Sequence, residues 1–157
     1  MKYLIGITLV LGGMTISTLI LIRTTDGPIW GFPGGSFSGE PEQIPVEDWS
    51  FAVDIDAVEV QIESNPPRTI YTGILIHQGT AYLPVTLAPI KRWHHIVSEN
   101  PRILIRTEGR LIAAQAVEIT DLDYLGELVL AGQAKYGAPF HAKWTTNITR
   151  YYKLKQK

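Results

Sequence analysis

The sequence contains no cysteine among its 157 residues. Disulfide bonds, thiolate zinc sites, iron–sulfur clusters and a cysteine-linked lipid anchor are therefore excluded. An excess of charge of one sign is lacking too, because the formal net charge is −1 and the isoelectric point is about 6.4. No basic patch dominates, so nothing indicates a nucleic-acid partner. A chain of this length is expected to form one domain with a single hydrophobic core.

Nucleophile and metal-binding motifs are also missing. No segment resembles a nucleophile elbow. His94 and His95 are adjacent, and adjacent residues of a helix do not share a face, so the pair cannot chelate one metal as histidines at i and i+4 do. His77 and His141 have no partner at ligand spacing. We therefore expect no metal site.

One long hydrophobic run is present, Tyr3–Ile22, and it carries no charge. At 1.5 Å per residue such a helix spans about 30 Å, the thickness of the hydrocarbon core of a bilayer. A cleaved signal peptide is the alternative, but the run is long for one, and the residues before Arg23 offer no small-x-small cleavage site. We expect a single-pass anchor that contacts the lipid bilayer through residues 3–22. Lys2 lies on one side and Arg23, offset by Asp26, on the other, which favours an extracytoplasmic domain.

Residues 24–47 are rich in glycine and proline and predict a linker. Its Trp30, Phe32 and Phe37 are unusual for a free tether, and are expected to lie at the membrane interface or to cover the folded domain. The predicted organisation is an anchor over 1–23, a linker over 24–47 and a folded domain over 48–157.

Alternating apolar residues predict about six strands. In Ala57–Glu63, for example, every second residue is Val or Ile and the others are polar, which is typical of a strand with one buried face. The remaining predicted strands are Arg68–Gln78, Ala81–Thr86, Arg102–Thr107, Leu111–Ile119 and Trp144–Leu154, with turns at Gly79-Thr80 and Glu108-Gly109.

Two short helices are predicted between these strands. The later one is capped by Thr120 or Asp121, ends at Gly137 and carries an apolar stripe of Leu122, Leu125, Leu128 and Val129. Many adjacent strands and few helices favour a mainly β fold, an antiparallel barrel whose openings the helices cover.

The earlier helix is predicted over Lys91–Asn100, with Pro89 near its start and Asn100-Pro101 at its end. This assignment puts Lys91 and Arg92 in the first turn. Free backbone N–H groups and the helix dipole favour an anion there, so the basic pair predicts a phosphate site. The alternative is that both side chains are simply solvated.

The same segment carries a family resemblance. Strand, turn and strand, then Pro89-x-Lys91-Arg92-Trp93, Asn100-Pro101 and a further strand closing in Glu108-Gly109-Arg110, resemble the FMN-binding split barrels. That superfamily includes pyridoxamine 5′-phosphate oxidase-like and deazaflavin-dependent nitroreductase-like proteins. The similarity runs from about Asp48 to about Tyr136.

The resemblance implies a site for FMN or a deazaflavin. Lys91 and Arg92 would bind the flavin phosphate with Thr86 as a hydroxyl donor, and Arg68 and Thr69 resemble further phosphate contacts. Tyr71 and Thr72 would line the groove of the flavin ring unless they belong to an ordinary strand. Trp93 would either stack on the ring or pack against the barrel.

A reductase acting on a small acceptor, such as a quinone or nitro compound, is the function that this resemblance implies, and a homodimer is its expected state. The alternative is a non-catalytic barrel that serves as a binding or assembly module at the membrane. Leu87–Ile90 departs from the His-Pro-containing stretch of the deazaflavin-dependent relatives. The C-terminal substrate-binding segment of the oxidases has no counterpart after Tyr136.

Overall fold

Seven strands form one antiparallel sheet in the part of the chain that the structure describes. The structure is a computed structural model, and it describes residues 11–15, 17–18, 20, 23–29, 32–137 and 148–156. The strands are β1 (Ala57–Ile62), β2 (Arg68–Gly73), β3 (Leu75–His77), β4 (Thr80–Val85), β5 (Arg102–Thr107), β6 (Arg110–Glu118) and β7 (Arg150–Lys155).

The order of the strands makes the sheet curl. They neighbour one another as β2-β1-β5-β6-β7-β4-β3, so the two edge strands, β2 and β3, are consecutive in the chain and separated only by Ile74. The edges must therefore approach each other, which gives the mainly β, antiparallel split barrel that was predicted. It has seven strands rather than about six, because Ile74 interrupts the predicted strand Arg68–Gln78 and donates its N–H to the carbonyl of Asp56 (3.2 Å).

Two tight turns set the register of the hairpins. Glu108 and Gly109, with φ of 48° and 74°, join β5 to β6 as predicted. Gln78 and Gly79, with φ of 50° and 72°, join β3 to β4, one residue earlier than the predicted Gly79-Thr80 turn. Two consecutive positive φ angles match the right-handed twist of the strands, and glycine adopts the second at little cost.

The alternating residues fill the barrel. Val58, Val60 and Ile62 of β1 are buried, and Ile103 and Ile105 of β5 pack beside them. A second apolar cluster lies between the outer side of the sheet and the long helix, and contains Leu75, Tyr82, Leu128, Val129 and Tyr151. The barrel thus has an inner core and one covered outer face.

Two α-helices, α1 (Trp93–Glu99) and α2 (Leu122–Tyr136), and two 3₁₀ helices (Ser50–Ala52 and Ala88–Ile90) complete the described domain. The side chain of Asp121 caps α2 by accepting from the N–H groups of Asp123 and Tyr124 (3.0 and 3.2 Å). The predicted apolar stripe was wrong for Leu122, which is 75% exposed, since it is the first residue of α2 and precedes the part that contacts the sheet.

The predicted membrane anchor falls largely outside the described residues. Of residues 3–22, the structure describes 11–15, 17–18 and 20, and these are helical. Within the described part of the chain, no helix combines the length and the apolar character that crossing a membrane requires.

The predicted linker packs on the barrel. We call its described part, residues 24–29 and 32–47, the strap. Gly34 and Thr69 exchange two backbone hydrogen bonds of 3.1 Å, so the strap pairs with the edge strand β2. Ion pairs join Asp26 to Arg106 and Glu42 to Arg110, each at 2.7 Å. Edge strands left unpaired invite aggregation, and the strap covers part of this edge.

The aromatic residues of the strap behave differently from one another. Phe37 is buried and its ring lies 4.3 Å below the guanidinium of Arg106, so it covers the barrel. Phe32 is 63% exposed. Trp30 lies outside the described residues.

Glycine at position 34 allows the strap to approach β2. A Cβ atom there would overlap the carbonyl oxygen of Gly27, within the strap, and would lie 2.9 Å from Oγ1 of Thr69 in β2. We therefore expect Gly34→Ala to lower the free energy of unfolding by about 1–3 kcal/mol, measured by urea unfolding of the full chain in mild detergent. Gly126→Ala is the control, because that exposed helical position has open space and alanine should raise stability by up to about 1 kcal/mol. Equal stability of Gly34→Ala and the wild type would show that the strap does not dock this closely.

Candidate functional site

A cavity opens where the edges of the curled sheet meet. It has a volume of about 360 Å³, within the range of roughly 300–1,000 Å³ that is usual for ligand sites. We call it the lysine cavity. It is lined by residues from the start of β1, the end of β2, the end of β4, the following loop and the last turn of α2: Ala57, Tyr71, Thr72, Gly73, Pro84, Thr86, Lys91 and Tyr136.

The loop after β4 places Lys91 in this cavity. Leu87 adopts the left-handed conformation (φ 56°), the 3₁₀ helix Ala88–Ile90 follows, and Lys91 then returns to an extended backbone. The Lys91 side chain is half-buried, and burial lowers its pKa. Among the described residues, none forms an ion pair with its ammonium group. A partly desolvated cation without a counter-ion favours the binding of an anion.

Thr72 lines the same cavity and has an unpaired hydroxyl group. The residue is 6% exposed, and within the described structure its Oγ1 has no hydrogen-bond partner. Buried polar atoms nearly always have a partner, so an orphaned one in a residue that lines a cavity is a candidate contact for a bound ligand. The Thr86 side chain is half-buried at the end of β4 and supplies a second hydroxyl to the wall.

Two tyrosines form the rest of the polar wall. Tyr71 is half-exposed and donates its hydroxyl to Glu59 Oε1 (2.8 Å), and this hydrogen bond raises the pKa of Tyr71. Tyr136 donates to backbone carbonyl groups of Asp56 and Ile74, and burial raises its pKa to about 12. Both phenols therefore stay neutral near pH 7, and they shape the cavity rather than exchange protons.

The structure brings together half of the predicted site residues. Tyr71, Thr72, Thr86 and Lys91 line the lysine cavity. The other four predicted residues, Arg68, Thr69, Arg92 and Trp93, do not.

These four residues have other surroundings. Arg68 lines a different cavity, next to the strap. Thr69 is fully buried in β2 beneath Gly34, while Arg92 is exposed. Trp93 packs against the barrel core, with its ring centroid 6.4 Å from that of Tyr152. Of the two alternatives for Trp93, packing against the barrel matches these contacts.

The predicted start of the first helix was wrong. It begins at Trp93 rather than Lys91, because Leu87 is left-handed and Ala88–Ile90 form a separate 3₁₀ helix before it. Arg92 is only the capping residue, and Lys91 lies before it in extended conformation. The helix dipole therefore gives no support for an anion site at Lys91. The support comes from the partial burial of the Lys91 ammonium group.

Tyr136 was missed from the sequence. It lies on the same face of α2 as Leu125, Val129 and Gly132, at spacings of four, three and four residues. Extending the predicted stripe to the last turn before Gly137 places a phenol at the end of the buried face. Gly73 is the other addition. A Cβ there would lie 3.3 Å from the hydroxyl oxygen of Tyr136, so glycine keeps this wall open.

His94 supports the loop that carries Lys91. It is buried, and its Nε2–H donates to the carbonyl of Ala88 (2.8 Å), while Nδ1 lies 3.3 Å from the hydroxyl of Tyr152. Burial lowers the pKa of His94, so the neutral ring is the favoured form. Within the described residues, no group of three or more His, Asp and Glu side chains could hold a metal ion.

Comparison with known proteins finds similar folds among solved structures. No protein-family model matches the sequence. No curated protein matches it either. Among solved structures, the heme storage protein HutZ from Vibrio cholerae is similar, with a TM-score of 0.55 and 11% identity over 73% of this chain and 92% of that chain. An F420-H2-dependent reductase, FDR-A, is also similar, with a TM-score of 0.52 and 13% identity over 64% of this chain and 95% of that chain. A chain described as a domain-swapped dimer is similar as well, with a TM-score of 0.52 and 13% identity over 65% of this chain and 81% of that chain. At these identities the likeness concerns the fold alone, and it agrees with the predicted antiparallel split barrel.

The surroundings of His94 predict a pH dependence of stability. Because its pKa in the folded protein lies below the value of 6.5 for the free side chain, the unfolded chain binds more protons between these two values. The free energy of unfolding should therefore fall as the pH drops below about 6.5. Urea unfolding of the full chain between pH 8 and pH 5 measures this slope, and His94→Gln should make it shallower. His95→Gln is the comparison variant: its ring lies 4.0 Å from that of His94 and its charge is a smaller cause of the lowered His94 pKa, so it should change the slope less than His94→Gln does. A His94→Gln slope identical to the wild type would contradict the assignment.

Proposed function

We propose that this protein binds FMN or a deazaflavin in the lysine cavity, through the phosphate group, and acts as a reductase. The observation that carries the proposal is the half-buried Lys91 ammonium, without a counter-ion among the described residues, in the same cavity as the orphaned hydroxyl of Thr72. A phosphate accepts a charge-assisted hydrogen bond from the first group and an ordinary one from the second. Both groups are thus suited to the phosphate that these cofactors carry.

The residues of this chain would bind the cofactor and orient it. Lys91, Thr72 and Thr86 would hold the phosphate, and Tyr71 and Tyr136 would limit the position of the ring. A bound flavin or deazaflavin supplies the transfer of hydride or electrons, so no nucleophile or acid–base pair is required of the protein. The similar structure of an F420-H2-dependent reductase supports a reductase on this fold. The proposed acceptor is a small molecule such as a quinone or nitro compound.

Location and assembly are part of the proposal. The uncharged run over residues 3–22 would anchor the chain in a membrane, with the barrel on the extracytoplasmic side. A homodimer would close the open side of the lysine cavity, where Tyr71 is 50% exposed. The similar fold described as a domain-swapped dimer supports association of two copies.

The absorption spectrum of the full chain, purified in mild detergent, tests the proposal directly. We expect a bound chromophore, or binding of added FMN or deazaflavin that quenches the fluorescence of the cofactor. A colourless protein that binds neither at concentrations up to 100 µM would overturn it.

A binding or assembly module without a cofactor is the second candidate. It is favoured by the position of Arg68, Thr69 and Arg92 outside the lysine cavity, which leaves fewer phosphate-binding groups than the resemblance implies. The absence of any cofactor binding, with the same fold and oligomeric state, would support this candidate.

Single substitutions separate the two candidates. Lys91→Ala should weaken cofactor binding by about 10- to 100-fold, because it removes a charge-assisted hydrogen bond, and should leave the stability of the free protein unchanged or higher. Arg92→Gln removes the same charge one residue away and outside the cavity, and should leave binding unchanged. An equal loss of cofactor affinity in both variants would mean that any nearby positive charge has the same effect. That result would refute the proposed site.

Thr72→Val tests the orphaned hydroxyl group. The methyl group fills the same space, so the free protein should keep or gain stability, since a buried unpaired hydroxyl is removed. Cofactor affinity should fall by about tenfold, which fluorescence titration would detect. A loss of stability with unchanged affinity would show that the hydroxyl has a structural partner instead.

A further inference from the structure

A second cavity, with a volume of about 580 Å³, lies between the strap and the β1–β2 hairpin. We call it the arginine cavity. Arg23 and Arg68 line it together with Ser36 and Asn65, and no described lining residue is acidic. The proposed flavin site does not use it.

The two arginines differ from most others in the described chain. Arg102, Arg106, Arg110 and Arg150 each form an ion pair with a carboxylate. Arg23 and Arg68 form none with any described residue, although both face the same cavity. Both arginines are exposed, and an anion bound in the cavity would be attracted by both charges. The planar guanidinium fork binds the oxygens of phosphates and carboxylates in pairs, so a phosphate group is a suitable anion for this cavity.

The arginine cavity lies close to the end of the uncharged run. Arg23 follows directly on the uncharged run that ends at Ile22. Two backbone contacts hold the segment after Arg23 against the barrel: Gly35 N–H donates to the carbonyl of Thr25 (3.1 Å), and Gly34 pairs with Thr69, the neighbour of Arg68. The arginine cavity is therefore fixed within a few residues of the end of the run.

If the run crosses a bilayer, the cavity lies at the level of the lipid headgroups. A helix over residues 3–22 spans the hydrocarbon core and places Arg23 at its boundary. Phe32 lines the cavity and is exposed, and an apolar ring can insert at the boundary between headgroups and acyl chains. The phosphate group that is abundant there belongs to the lipids, and anionic lipids attract arginines next to a membrane-spanning segment.

We propose that the arginine cavity binds the phosphate of an anionic phospholipid headgroup between Arg23 and Arg68, and so fixes the orientation of the barrel on the membrane. The proposal rests on the anchor and does not depend on the flavin. A free phosphate ion shares the same chemistry, and the test distinguishes the two sources.

The test is thermal unfolding of the full chain in dodecyl maltoside at constant ionic strength. The probes are dihexanoyl phosphatidylglycerol, dihexanoyl phosphatidylcholine and inorganic phosphate, each over the same range of concentrations. We expect phosphatidylglycerol to raise Tm in a saturable manner, with phosphatidylcholine and inorganic phosphate having little effect. An equal rise with inorganic phosphate would assign the site to a free ion, and no rise with phosphatidylglycerol would exclude the site. Either result overturns the proposal.

Charge-neutral variants locate the effect. Arg23→Gln with Arg68→Gln should weaken the apparent affinity for phosphatidylglycerol by about tenfold or more. Arg92→Gln is the matched control, because it removes an exposed arginine that lines neither cavity, and Lys91→Ala tests the lysine cavity in the same way. Both should bind the lipid like the wild type. A rise in Tm that survives in the double variant, or that is lost in Lys91→Ala, would overturn the assignment to the arginine cavity.

Discussion

The ion pair between Arg106 and Glu59 holds the two sides of the site in place. Arg106 Nε donates to Glu59 Oε2 across β5 and β1, and the same guanidinium donates to the side chain and the backbone carbonyl of Asp26 in the strap. The other oxygen of Glu59 accepts from the hydroxyl of Tyr71, at the wall of the lysine cavity. Glu59 and Arg106 together thus join the strap, three strands and the candidate site. The Glu59 side chain is 17% exposed, so removing either partner would leave the other charge poorly solvated.

This network explains why the two cavities have fixed walls. The strap cannot leave β2 without breaking the contacts of Arg106, and the Phe37 ring beneath that guanidinium would become exposed. Tyr71 cannot turn away from the lysine cavity without losing its hydrogen bond to Glu59. On the opposite wall, His94 holds the 3₁₀ helix that precedes Lys91 through the carbonyl of Ala88. Binding groups that are fixed in advance lose less entropy when a ligand arrives.

Local pattern was enough to predict most of the sheet. β5 has the predicted bounds, and β1 and β6 differ from them by one residue, because an alternation of apolar and polar residues is a property of the segment itself. The Glu108-Gly109 turn was predicted for the same reason. The break at Ile74 was not, since it follows from the curl of the whole sheet. The start of α1 was missed because Leu87, an ordinary residue, takes a left-handed conformation that tertiary structure imposes.

The candidate site was harder to predict than the fold because its residues meet through distant contacts. Arg68 and Thr69 are close in sequence to Tyr71 and Thr72, but the strap covers β2 at Thr69 and separates the first pair from the lysine cavity. Asp26 and Arg106, which hold the strap, are 80 positions apart, and no local pattern connects them.

Net charge gave no indication of a ligand, and the structure shows why. The sum is close to zero because 14 Lys and Arg residues are balanced by 15 Asp and Glu residues, and four arginines of the described barrel form ion pairs with carboxylates. What distinguishes the two cavities is local: each contains a cation that no described carboxylate neutralises, Lys91 in one and the Arg23–Arg68 pair in the other. An overall balance of charge is therefore compatible with both proposed anion sites, because binding depends on the field inside a cavity and not on the total charge of the chain.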